Sequence, residues 1–142
     1  MQLPAKANYA CLAMLELAQR ARRDEQPVAV REIAERHAIP APFLTQILQQ
    51  LRAAGLVASS RGKQGGFRLA RPADRITLAD VCDAVLGPAE ERDQRPNSTV
   101  EARVLRDVWR RAARAQRVVL AKLLLADLAD RCLLGDPAMY YI

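Results

Sequence analysis

The residues best suited to chemistry in this chain lie between Arg31 and Arg68, and their types suit nucleic-acid contact better than catalysis. Arg61-Gly62-Lys63-Gln64-Gly65-Gly66 sets two cations among three glycines. Glycine lets a backbone come close to a phosphate or a groove floor, and an arginine on such a tip suits the negative potential of a narrow minor groove. Upstream, Ala41, Thr45, Gln46 and Gln49 fall on one side of a helical period. Thr and Gln donate and accept at base edges, and Gln can pair bidentately with adenine. Arg31, Arg36, Arg52 and Arg68 add cations that fit either phosphate contact or plain solvent. Pro40 and Pro42 offer only shape and apolar contact.

Nothing comparable supports an enzyme. His37 is the only histidine, and no metal-spaced cluster, phosphate loop or nucleophile–base pair accompanies it. Its place in a turn reads as structural or as a phosphate contact. Cys11, Cys82 and Cys132 are widely separated. An odd number without close spacing argues against a disulfide framework and fits a reducing cytoplasm. Cys11 and Cys82 each fall on an apolar helix face, where a buried cysteine behaves as a small hydrophobe. A sensing role for Cys132 or His37 stays open.

The charge distribution agrees with the motif. The net charge is +6, and residues 1–75 hold all of it, with 12 Lys/Arg against 6 Asp/Glu. Residues 76–142 hold 10 of each sign. A phosphate-binding surface requires such a basic half, although a solvated basic face would look the same. No run of about 20 apolar residues occurs, so no membrane span is expected. The opening stretch reads as a helix rather than a signal peptide, since Glu16 and Gln19 interrupt it.

These residues need elements to position them, and the periodicity supplies candidates. Ala7, Ala10, Cys11, Met14, Leu15 and Ala18 predict a helix over 6–23. Ile33 and Ala34 face inward from a short second helix at 30–36. Ile39 is expected to plug the turn at 37–40, and Leu44, Ile47, Leu48 and Leu51 give a third helix over 41–53 an inner face. Gly55 ends it. A strand at 56–60, a turn at 61–66 and a return strand at 67–69 form a β-wing. Ile76 is expected to begin a short pairing. Thr77 with Asp80 caps a fourth helix running to Leu86. Ser98 or Thr99 caps a last helix running to about Asp130. On it Val104, Val108, Trp109, Ala112, Ala115, Val119 and Leu123 lie in or beside an almost heptad seam that continues through Lys122 and Ala126. That surface is wider than one small domain needs, and we read it as a dimerisation face.

Taken in order, the segments resemble the Rrf2 family of bacterial winged-helix repressors, whose best-known branch is IscR-type. The matching residues are Leu3 with Ala5-Lys6 and Tyr9-Ala10, then Ile33-Ala34-Glu35-Arg36, Phe43-Leu44 and Ile47-Leu48. Leu51 to Val57 follow, then Arg61-Gly62 with Gly65-Gly66-Phe67 and Leu69, and Ile76-Thr77-Leu78 with Val81 and Ala84-Val85. The resemblance implies a homodimer in which long C-terminal helices cross and each head reads half of a near-palindromic operator, usually to repress. It also implies, for many members, an iron–sulfur cluster held by three cysteines in the loop before the long helix, with an acidic residue near the start of the first helix in some branches. This chain departs there. The loop region reads AEERDQRPNST, without Cys or His, and Asn8 stands where the acidic ligand could be.

The expected fold is therefore mainly α with a small β-wing: a winged helix-turn-helix domain at 1–87, a loop at 88–98, a dimerisation helix at 99–131 and a tail at 132–142. The expected function is a cytoplasmic, DNA-binding regulator, a homodimer on double-stranded DNA, without cofactor or metal and answering to a small-molecule or protein effector. Two alternatives stand beside it: a redox sensor with atypical cluster ligands or thiols, and a winged-helix module for protein interaction.

Overall fold

The computed structural model describes residues 3–87 and 99–135. The expected loop at 88–98, Ser98 as a cap, and residues 136–142 of the tail lie outside the described residues. Helix α1 (Ala5–Arg22) is the hub of the fold. Ala7, Ala10, Ala13, Met14, Leu17 and Ala18 form its buried stripe, and the four alanines let neighbouring helices come close. Helices α2 (Val30–His37) and α3 (Ala41–Ala53) meet at the expected turn. Ala38 there takes a left-handed conformation, which turns Ile39 into the gap between the helices, where it is buried.

Strands β1 (Val57–Ser60) and β2 (Gly66–Leu69) pair antiparallel, Val57 opposite Leu69 and Ser60 opposite Gly66. A third lane completes the wing: Val28 N–H donates to the Phe67 carbonyl at 2.9 Å and Phe67 N–H donates to the Val28 carbonyl at 2.8 Å. A Cβ at position 66 would collide with the Val28 carbonyl. Gly66 is thus required by packing within the protein rather than by approach to a ligand.

After a single 3₁₀ turn (Ala73–Arg75), helix α4 (Leu78–Leu86) starts from a capping box. Asp80 N–H donates to Thr77 Oγ1 at 3.1 Å, and Thr77 N–H donates to Asp80 Oδ2 at 2.9 Å, satisfying two N–H groups that a helix start otherwise leaves open. Thr99 caps helix α5 (Val100–Ala121) through the Ala102 N–H.

The last helix does not run unbroken to Asp130. It ends at Ala121, and a separate helix α6 (Leu125–Leu133) follows. The break is set by the short pairing that Ile76 begins. Leu78 N–H donates to the Leu123 carbonyl at 3.0 Å, and Leu125 N–H donates to the Ile76 carbonyl at 2.8 Å. Backbone at 123–125 serves this pairing and cannot also serve a helix. Leu125 and Ala129 then drop into the core beside Ile76, all three at 0% exposure. Arg22 holds α6 from outside, through Asp130 at 2.6 Å and the Ala126 carbonyl at 3.0 Å. Leu123 is half-buried at this junction, so the exposed seam ends at Val119.

If α6 belongs to the core of its own protomer, Leu125→Ala lowers unfolding free energy by about 2–5 kcal/mol, as a buried leucine does. Leu133→Ala, at 61% exposure, changes it by less than about 0.5 kcal/mol. Urea denaturation of the two variants separates these outcomes.

Candidate nucleic-acid interface

Helix α3 is fixed by the side opposite its polar face. Leu44, Ile47, Leu48 and Leu51 are all at 0% exposure, and Phe43 meets Tyr9 of α1 edge-on with ring centroids 5.7 Å apart. Ala41, Thr45, Gln46, Gln49 and Arg52 therefore share the outward face, with Thr45 half-buried and the rest exposed. Their side chains are not equally available. Thr45 Oγ1 donates to the Ala41 carbonyl at 2.9 Å, which leaves its lone pairs to accept. Gln46 and Gln49 make no side-chain hydrogen bond among the described residues. Arg52 Nη1 donates to Ser59 Oγ at 3.2 Å, tying the last turn of α3 to β1. Arg31 of α2 sits 3.6 Å from Glu35, one turn away.

The wing tip carries Arg61 and Lys63, both exposed and without a side-chain partner among the described residues. Gly62 between them has φ of +107° and open space around it. That is a conformation L side chains rarely adopt, so the tip stays thin where the two cations project. The recognition face and the wing are joined by the Arg52–Ser59 hydrogen bond, and together they form one continuous set of donors and cations.

Glu16 is a residue that periodicity treats only as an interruption. It is the one buried charged residue among the described residues, at 3% exposure. Its Oε1 lies 3.3 Å from Arg20 Nε, and its Oε2 lies 3.4 Å from Arg36 Nε and 3.5 Å from His37 Nε2. The last contact is too long for a good hydrogen bond, and that buried nitrogen has no hydrogen-bond partner. The carboxylate thus draws the C-terminal turn of α2 onto α1 and sets the entry to the helix-turn-helix turn. Arg20 also reaches Glu32 at 3.0 Å and Glu25 at 3.5 Å. Arg36 and His37 come from another helix, so no spacing within α1 announces them.

No group of three His, Cys, Asp or Glu side chains suited to a metal occurs among the described residues. Cys132 is exposed on α6, while Cys11 and Cys82 face each other between α1 and α4. Interaction with Cys82 and burial push the Cys11 thiol above its ordinary range.

A family model described as an iron-dependent transcriptional regulator, Rrf2, matches residues 3–131. The chain belongs to the Rrf2 family. A Mycobacterium tuberculosis protein provisionally named as the HTH-type transcriptional regulator Rv1287 is 41% identical over 138 residues, covering 94% of this chain and 84% of that one. Among solved structures, CymR (YrzC), the global cysteine regulator of B. subtilis, superposes with a TM-score of 0.72 at 32% identity, covering 92% of this chain and 97% of its own. IscR of T. potens gives 0.73 at 32%, covering 93% and 88%. This Rrf2 protein is a DNA-binding transcriptional regulator with a winged-helix head. No helix among its described residues is long and apolar enough to cross a membrane.

The Glu16 anchor has a measurable consequence. Glu16→Ala lowers stability by about 2 kcal/mol, less than the roughly 3–5 kcal/mol for breaking a fully buried pair, because Arg20 and Arg36 retain water contact. Glu16→Gln, which keeps shape and hydrogen bonding, recovers part of the loss. Equal urea midpoints for Glu16→Ala and the parent would remove its anchoring role.

Proposed function

We propose that this Rrf2 protein is a homodimeric repressor that reads a near-palindromic operator without an iron–sulfur cluster. The observation that carries the reading is the contrast between the two ends of the chain. The head presents unengaged readers (Gln46, Gln49) and unengaged cations (Arg61, Lys63) on one surface. Helix α5 buries no residue fully, and Val104, Val108, Trp109 and Val119 are each 46–58% exposed. Exposed apolar surface of that extent marks an interaction site, and a second copy of the same helix supplies the matching apolar face. Ala112 and Ala115 on that face allow close approach. Two heads joined in this way read two half-sites related by the same symmetry.

In this reading Arg61 and Lys63 meet the backbone or minor groove, Gln46 and Gln49 meet base edges, and Thr45 accepts. Ala41 makes apolar contact. Arg31 and Arg52 bind phosphate after giving up part of their internal pairing. The regulator answers to a small molecule, a protein or oxidation rather than to a resident cluster: the loop region holds no Cys or His, and the Cys11–Cys82 contact favours a thiol over a cluster.

DNA selected from a random pool by the purified protein tests the reading. Affinity falls steeply with added salt, since each phosphate contact releases a counterion. Arg61→Ala weakens binding by about tenfold, in the range of a loss of about 1–3 kcal/mol, and Gln49→Ala relaxes preference at one base pair per half-site. Val108→Glu gives monomers by light scattering and loses operator binding. Salt-independent binding, or a monomer with full affinity, rejects the proposal. Iron-dependent colour after anaerobic purification rejects its cluster-free part.

A further inference from the structure

A groove on the head is used by nothing so far described. It runs between the end of α1 and the chain that leaves β2, and it holds about 410 Å³, within the size range of small-molecule sites. Ala18, Ala21 and Leu69 give it apolar walls, and Arg22, Gln26 and Arg71 give it polar ones. No acidic side chain lines it among the described residues. Gln26 and Arg71 are exposed and make no side-chain hydrogen bond or ion pair among those residues. Arg22 is engaged, but with α6: it reaches Asp130 at 2.6 Å and the Ala126 carbonyl at 3.0 Å.

We propose that this groove binds a small carboxylate with a short apolar tail, and that the bound carboxylate weakens operator binding by drawing Arg22 off α6. The lining sets the ligand class. Two guanidiniums and an amide, with no opposing acid, call for a negative charge, and the planar fork of an arginine matches the two oxygens of a carboxylate. The alanine and leucine walls suit a hydrocarbon tail. Exchange at Arg22 costs little, because the Arg22 and Asp130 side chains are 34% and 51% exposed and an ion pair so open to water holds weakly.

The coupling to DNA rests on the homodimer reading given above. Leu125 and Ala129 keep α6 in the core, while Arg22 ties its outer side. Only residues 122–124 separate α6 from α5, so play in α6 is felt at the end of α5. Helix α5 is otherwise held to α4 by Arg117 and Asp83, 2.6 Å apart. In a dimer joined through α5, looseness at its end blurs the spacing of the two heads. The same ligand lies against Leu69, the last residue of the wing.

The test uses the full chain with isotope-labelled alanine and leucine methyl groups and sodium hexanoate as the probe, with sodium chloride matching the ionic strength throughout. The methyl signals of Ala18, Ala21 and Leu69 shift saturably. Acetate, which lacks the tail, and hexan-1-ol, which lacks the charge, each bind more weakly. Arg71→Ala weakens hexanoate by about tenfold, as loss of a charge-assisted hydrogen bond does. No saturable shift, equal binding of acetate or hexan-1-ol, or full binding by Arg71→Ala overturns the site. On DNA selected from a random pool by the ligand-free protein, saturating hexanoate lowers affinity about fivefold, within the usual range for coupled sites. Asp130→Ala, which removes the partner of Arg22, lowers it similarly with no hexanoate present. Unchanged or tighter operator binding at saturation, or full affinity in Asp130→Ala, overturns the coupling. If the ligand-free protein binds no DNA, the operator reading fails, while the methyl shifts still decide the groove.

Discussion

The head depends on how closely other elements can approach α1. Its buried stripe is mostly alanine, so α3, α4, α6 and β2 all pack against one helix. Close packing of this kind leaves no room for a stray charge, and yet Glu16 sits within it at 3% exposure. A buried carboxylate persists only when it is matched. Two guanidiniums match it here, Arg20 from α1 and Arg36 from the end of α2. The same charge that is costly to bury therefore fixes where α2 stops and the turn begins. Ile39 and the inner leucines of α3 follow from that placement.

The cations of the head then divide by what they already touch. Arg20, Arg22 and Arg36 are held within the fold by carboxylates. Arg52 is bound to Ser59, and Arg31 to its own helix. Arg61 and Lys63 have no such partner among the described residues. A phosphate approaching the wing displaces only water there, whereas one approaching Arg31 or Arg52 competes with an existing bond. The excess charge visible in residues 1–75 is thus less available than its total implies, and the wing tip carries two of the cations that remain uncommitted.

What could be read from the sequence was local. Helix α3 falls where Leu44, Ile47, Leu48 and Leu51 placed it, because one strongly apolar face with a glycine stop leaves little choice. The capping box at Thr77 and Asp80 and the two wing strands are likewise settled by neighbours in the chain. What escaped was settled across the fold. The third lane at Val28, the partners of Glu16 and the contact of Cys11 with Cys82 join residues from different elements, and no spacing announces them. The site shows the same division. The outward position of Gln46, Gln49, Arg61 and Lys63 was legible, while the internal bonds of Thr45, Arg31 and Arg52 were not. The break after Ala121 was concealed for another reason. Helix α6 is itself amphipathic, so the apolar rhythm carries on through Leu125 and Ala129 although the helix axis does not.

That break decides what α5 is for. A continuous helix would have placed Leu125 one heptad beyond Val118 and Ala129 one heptad beyond Lys122, beside the exposed seam. Instead these two complete the core, and α5 is left to touch the head through one side, at Ala113, Gln116, Arg117 and Leu120 against α4. Its 22 residues span about 33 Å, with Val100, Val104, Val108 and Val119 uncovered along the other side. Completing the burial of a half-exposed apolar side chain is worth about 1 kcal/mol. In the proposed dimer, with the flanking Leu105, Trp109 and Val118 counted from both copies, the gain is on the order of 10 kcal/mol. Association costs an estimated 4–15 kcal/mol. The terms are of similar size, so a stable pair needs most of the α5 face at once and leaves little freedom in how the copies meet. Because α5 is held to α4 by Arg117 and Asp83, a dimer constrained in this way also constrains where each wing points.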